Sequence, residues 1–163
     1  MIEKLVDLYY SDDWENFAEQ GGNAILRKCF DALPSNIQSK LYGSWFHDAY
    51  LMRFECCCID ETHSVRLTLK KYIDRKRAEI IVLVFSFVTM VKCNGNFIDA
   101  EAHFPHADCE KPIAQLLDIW VEESDEFIIC LLFDNARSLL IRCSKNEQSW
   151  FDMTHRLSAT ALS

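Results

Sequence analysis

Apolar residues recur with two different periods along this chain, and the change of period divides it. Ile2, Leu5, Val6 and Tyr9 follow i, i+3, i+4, i+7 spacing, which predicts a short helix with one apolar stripe. Ser11 is placed to cap a second helix, with Asp12 and Asp13 favourable at its positive end. Gly21-Gly22 interrupts or kinks that segment. Ile25, Leu26, Cys29, Phe30 and Leu33 restore a helical stripe that Pro34 stops. Ser35-Asn36-Ile37-Gln38 has the pattern of a capping box, opening one more short helix that ends near Gly43.

From Ala49 the period becomes two. Tyr50, Met52, Phe54, Cys56 and Cys58 alternate with Leu51, Arg53, Glu55 and Cys57, the pattern of a half-buried strand. Val65, Leu67 and Leu69 form a second strand after the Asp60-Glu61-Thr62 turn. Ile80 to Val91 is apolar on both faces, broken only by Ser86 and Thr89, and is expected to be a central strand covered on each side. Leu117, Ile119 and Val121 alternate with Asp118, Trp120 and Glu122. Phe127 to Phe133 and Leu139 to Cys143 complete a hairpin about the Asp134–Arg137 turn. The expectation is an α+β fold: one domain over 1–163, with a helical part (1–43) on an antiparallel sheet part (44–151), a meander of about six strands.

Composition narrows the function classes. Half of the 163 residues are hydrophobic, enough to bury a core, and 4 Gly and 3 Pro exclude a low-complexity fibre. Neither a GxGxxG nor a Walker pattern occurs, nor a GxSxG elbow or HExxH. Asp and Glu number 25 against 17 Lys and Arg, a net charge of −8 that disfavours nucleic acid and is consistent with solubility and equally with steering toward a basic protein partner. The one basic run, Lys70 to Arg77, fits a solvated hairpin loop. The first residues interleave charges with apolar groups, and the longest apolar stretch is too short to span a bilayer. No membrane association and a cytoplasmic location are therefore expected. In that compartment the 8 Cys are expected to be reduced core thiols.

Three constellations carry candidate chemistry. Cys56-Cys57-Cys58 lies on a strand that sends its thiols to both faces, and no CxxC pair exists. His103, His106 and Cys109, with Cys93 as a fourth donor, have ligand types suited to zinc but no finger spacing, so neither metal nor cofactor is expected. His47 and Asp48 are adjacent, and on an extended chain they point apart, which disfavours a dyad.

Trp45-Phe46-His47-Asp48-Ala49-Tyr50, leading into an alternating strand, resembles the (L/F)-H-D-(S/A) start of the sheet in several small bacterial families. Some of these resemble immunity proteins encoded beside polymorphic or contact-dependent toxins. Phe127 to Asn135 followed by Ser138 to Ile141 is similar to their closing hairpin, so the resemblance covers residues 45–143. It implies a cytoplasmic, non-enzymatic protein that binds and neutralises a toxin, such as a nuclease. Those families carry no agreed catalytic residues, so no roles transfer.

Asp118, Trp120 and Glu122 share one face of their strand, and Glu123, Asp125 and Glu126 follow. An aromatic anchor flanked by carboxylates suits a basic protein, so these six residues are the candidate contacts, set against the alternative of a solvated sheet face with Trp120 covered by a helix. The alternatives are a small hydrolase or metal-dependent enzyme using His47, Asp48, His103 and His106, and a structural subunit pairing through a sheet edge.

Overall fold

Helical spacing and alternation resolve into four helices and eight strands in the computed structural model, which describes residues 1–11, 14–41, 46–59, 61–74, 77–95, 97, 112–145 and 150–159. The helices are α1 (Glu3–Tyr10), α2 (Trp14–Glu19), α3 (Gly22–Ala32) and α4 (Ser35–Leu41). Gly21 turns the chain from α2 into α3 with φ of 69°, a left-handed value that glycine adopts without strain. Its neighbour Gly22 lies against Phe17, whose ring a Cβ there would approach to 2.5 Å. The expected capping box does not close at α4. Gln38 Nε2 instead donates to the carbonyls of Phe30, Asp31 and Leu33, satisfying the C-terminal end of α3.

The strands are β1 (Ala49–Ile59), β2 (Thr62–Tyr72), β3 (Arg77–Ser86), β4 (Val88–Asn94), β5 (Ala114–Glu123), β6 (Glu126–Phe133), β7 (Arg137–Ser144) and β8 (Phe151–Ala159). They form one antiparallel sheet in the order β4-β7-β6-β5-β1-β2-β3-β8. The fold is α+β as expected, but the sheet is larger than six strands and is not a simple meander. The Ile80–Val91 run is not one central strand. It breaks at Phe87, whose φ of 57° sends the chain from β3, next to the β8 edge, to β4 at the opposite edge.

The sheet curls so that β4 contacts β2, although four strands separate them in the hydrogen-bonded order. Its inner face gathers Leu51, Leu67, Leu69, Ile81, Leu83, Phe85, Leu116, Ile129, Leu131 and Ile141 into one core. On the outer face, Trp120, Ile128, Cys130, Leu132 and Leu140 pack beneath Ile2, Leu5, Val6, Phe17 and Cys29. The helices thus cover the β5–β7 half. On the β2–β3 half, Ile80, Val82 and Val84 are only half-buried, opposite Lys70, Thr68 and Arg66. The expectation of cover on both sides fails there: the buried outer-face cluster beneath the helices takes no residue from β2 or β3.

Long-range polar contacts fasten the helices to the sheet. Tyr10 Oη accepts the Phe133 N–H at 2.9 Å and meets the Phe133 and Arg137 carbonyls at the β6–β7 turn. Arg142 Nη2 lies 2.6 Å from Glu3. Arg137, 2% exposed, pairs with Asp134 and donates to the Ile113 carbonyl at 2.8 Å.

Candidate functional site

A 480 Å³ cleft opens between the helices and β5, lined by Tyr9, Asn23, Leu26, His47, Asp118 and Trp120, among others. A β-bulge makes it. The β5–β6 register runs Leu116↔Phe133 and then Asp118↔Leu132, leaving Leu117 as the extra residue. Leu116 faces the inner core, and strict alternation would send Asp118 the same way. The bulge turns Asp118 to the outer side instead, the re-aiming of a side chain that bulges supply.

Two donors hold the Asp118 carboxylate: Trp120 Nε1–H and the Ile119 backbone N–H, each at 2.8 Å. The group meets solvent through the cleft mouth but is surrounded by protein at its sides. That desolvation raises its pKa above the ordinary carboxylate value, against the two donors and the nearby His47, which lower it. Tyr9 sits edge-on to Trp120 at 5.3 Å, and Phe17 packs on the same indole at 6.3 Å. Burial, then the Asp118 charge, raises the Tyr9 hydroxyl pKa.

His47 enters from the turn before β1. Asp48 has φ of 68°, its N–H donates to the Leu116 carbonyl, and Gln115 Nε2 donates to its Oδ1 at 2.8 Å. The turned backbone brings His47 Nδ1 to 3.0 Å from Asp48 Oδ2. This overturns the expectation that the two residues point apart, because the chain is not extended there. With Nδ1 engaged, Nε2 is the imidazole nitrogen left for the cleft.

The six candidate contacts do not form one exposed face. Asp118 and Trp120 meet in the cleft, but Trp120 is 5% exposed, so its indole is a floor and not a protruding anchor. Glu122 is buried and accepts from the Met1 α-ammonium at 2.6 Å and the Ile2 N–H at 2.8 Å. Glu123 pairs with Lys145 at 2.8 Å, and Glu126 accepts from Thr89 Oγ1 at 2.5 Å. Asp125 is exposed in the β5–β6 turn. The helical layer accounts for the burial, and for Trp120 it is the helix cover weighed as the alternative.

His103, His106 and Cys109 lie outside the described residues. Among the described residues no three His, Cys, Asp or Glu side chains converge to hold a metal ion. Cys29, Cys130 and Cys143 are buried thiols, and burial pushes Cys130 and Cys143 up to about 12. Cys56, Cys57, Cys58 and Cys93 are exposed, so the eight thiols are not all core residues. No described helix is long and apolar enough to cross a membrane.

Tyr9, Asn23 and the His47–Asp48 contact were not legible as a site, since no local spacing links them to Asp118. Comparison of the chain with family models, curated proteins and solved structures finds no match, so its functional reading rests on these residues alone.

Proposed function

We propose that this chain is a non-enzymatic, cytoplasmic binding protein of the immunity type, which neutralises a basic toxin domain by accepting one of its cationic side chains in the Asp118 cleft. One observation supports this reading above the rest. A carboxylate with a raised pKa is held at a cleft by two N–H donors, with aromatic walls around it. A carboxylate desolvated in a cleft with defined partners is a candidate functional group. An ammonium or guanidinium entering there gains a charge partner and aromatic faces. The net charge of −8 adds attraction at longer range, which quickens encounter with a basic surface. Exposed Asp125 extends the acidic surface, while Glu122 serves the fold.

The test is titration calorimetry with the toxin domain encoded beside this chain. A complex that weakens on raising salt from about 50 to about 200 mM supports the reading. Loss of at least about tenfold in affinity with Asp118→Asn assigns it to the cleft. Absence of any complex sinks the proposal. The His47–Asp48 contact favours a second reading, an acid–base hydrolase with Asp48 orienting His47. Turnover of a chromogenic ester panel that disappears in His47→Ala would support that reading instead.

A further inference from the structure

Two exposed thiols that neither the cleft nor the core uses stand on β1 and β4, strands whose residues line shared cavities inside the curl of the sheet. Cys56 pairs in register with Val65 of β2, whose side chain is in the inner core. Cys93 pairs with Leu139 of β7, also an inner-core residue. Both thiols therefore stand on the inner face, although β1 and β4 share no hydrogen bonds. The curl brings β4 against β2, next to β1, and residues of β1 and β4 line two cavities in common. Leu51 and Phe54 of β1 line a 400 Å³ apolar cavity with Cys93 and Gly95. Cys56 lines the next cavity with Val88 and Val91 of β4.

We propose that Cys56 and Cys93 are a redox-sensitive pair whose disulfide ties the edge strand β4 to β1. The oxidant is a low-molecular-weight disulfide such as glutathione disulfide. One protein thiolate attacks its S–S bond, forming a mixed disulfide and expelling a glutathione thiolate. The second protein thiolate attacks the protein sulfur of that mixed disulfide and expels the other glutathione. Two protein thiols are oxidised, one glutathione disulfide is reduced to two thiols, and the two protons pass to the leaving groups. The bridge closes the curl on the side where hydrogen bonding does not, and it crosslinks a long loop of chain.

Both thiols are above the ordinary value, chiefly through burial, and for Cys93 the Cys56 charge adds to it. Thiolate is therefore scarce at neutral pH, and bridging is expected to run faster at about pH 8.5 than at about pH 7. The experiment exposes the reduced full chain to glutathione disulfide, alkylates residual thiols under native conditions and maps peptides without reduction. The parent should yield a Cys56–Cys93 linked peptide and a Tm raised by about 5 °C. Cys56→Ser and Cys93→Ser should each lose the peptide and the Tm gain, leaving the partner thiol as a glutathione adduct, while Cys57→Ser keeps both. Recovery of Cys56 and Cys93 in the parent only as separate adducts or alkylated thiols overturns the proposal. So does a bridge that uses Cys57 or Cys58.

Discussion

Trp120 Nε1–H donates to Asp118 Oδ2 at 2.8 Å, two residues back along the same strand. The contact locks the indole beneath Tyr9 and Phe17 and fixes the carboxylate at the cleft wall. One hydrogen bond thus joins the packing of the helical layer to the proposed binding group.

Asp118 is expected to cost stability where it is most useful for binding. A carboxyl whose folded-state pKa is raised stabilises the fold below its unfolded value, near 4, and loses that contribution as pH rises through the folded value. At neutral pH its charge is a net burden. Asp118→Asn removes the charge but keeps only one of the two acceptor oxygens, so one of the two N–H donors loses its partner at every pH. Its Tm measured against the parent's should therefore be more favourable at neutral pH than below about pH 4. Thermal melts at several pH values check this, and a variant–parent difference that does not change with pH would contradict it.

Legibility followed the range of the interaction. The stripe Ile2, Leu5, Val6 and Tyr9 was readable because a helix repeats over few residues, and these side chains do pack on the sheet. β8 was missed although Phe151 and Met153 alternate with Asp152 and Thr154; so short an alternation is weak alone, and the strand is defined by its pairing with β3. The breaks at Phe87, Leu117 and Met52 carry no distinctive residue type, yet each changes which face the following side chains occupy. The cleft depends on the Leu117 bulge and on helices far away in sequence. Its chemistry was visible as single residues and its geometry was not.

Phe85 and Val84 are neighbours on β3 with opposite fates. Phe85 is 1% exposed in the inner core, while Val84 is half-buried on the open outer face opposite Arg66. Phe85→Asp places an unpaired charge in the core, which costs about 4 kcal/mol or more and should abolish the cooperative melt. Val84→Asp, with water and Arg66 at hand, should keep a cooperative melt within about 1–2 kcal/mol of the parent. Equal losses in the two variants would contradict the one-sided burial of β3.

Glu122 separates charge from hydrogen bonding. Ile2 is fully buried, so its N–H depends on the Glu122 carboxylate, whereas the Met1 ammonium is half exposed and can hydrate. Glu122→Gln retains an acceptor and should lose about 1 kcal/mol. Glu122→Ala strands the N–H and should lose about 2–3 kcal/mol. Urea unfolding of both variants gives the comparison, and an equal loss would place the whole effect in the ammonium pair.

Tyr10 supplies a pH-dependent fastening. Its hydroxyl accepts the Phe133 N–H and meets the Phe133 and Arg137 carbonyls. Burial foremost raises its pKa well above the ordinary tyrosine value, with the Phe133 hydrogen bond opposing. A phenol of raised folded-state pKa stabilises the fold fully below its unfolded value, near 10, and loses that contribution as pH rises toward the folded value. Tyr10→Phe removes the hydroxyl and leaves the Phe133 N–H short of a partner, a loss of about 1–2 kcal/mol at neutral pH, or a Tm lower by about 2–8 °C. The gap between parent and variant should narrow above about pH 10, because the variant has no phenol to ionise at this position. Melts from about pH 7 to about pH 11 follow that gap. A gap that stays constant would mean the Tyr10 hydroxyl is not held as the neutral phenol between helix and hairpin.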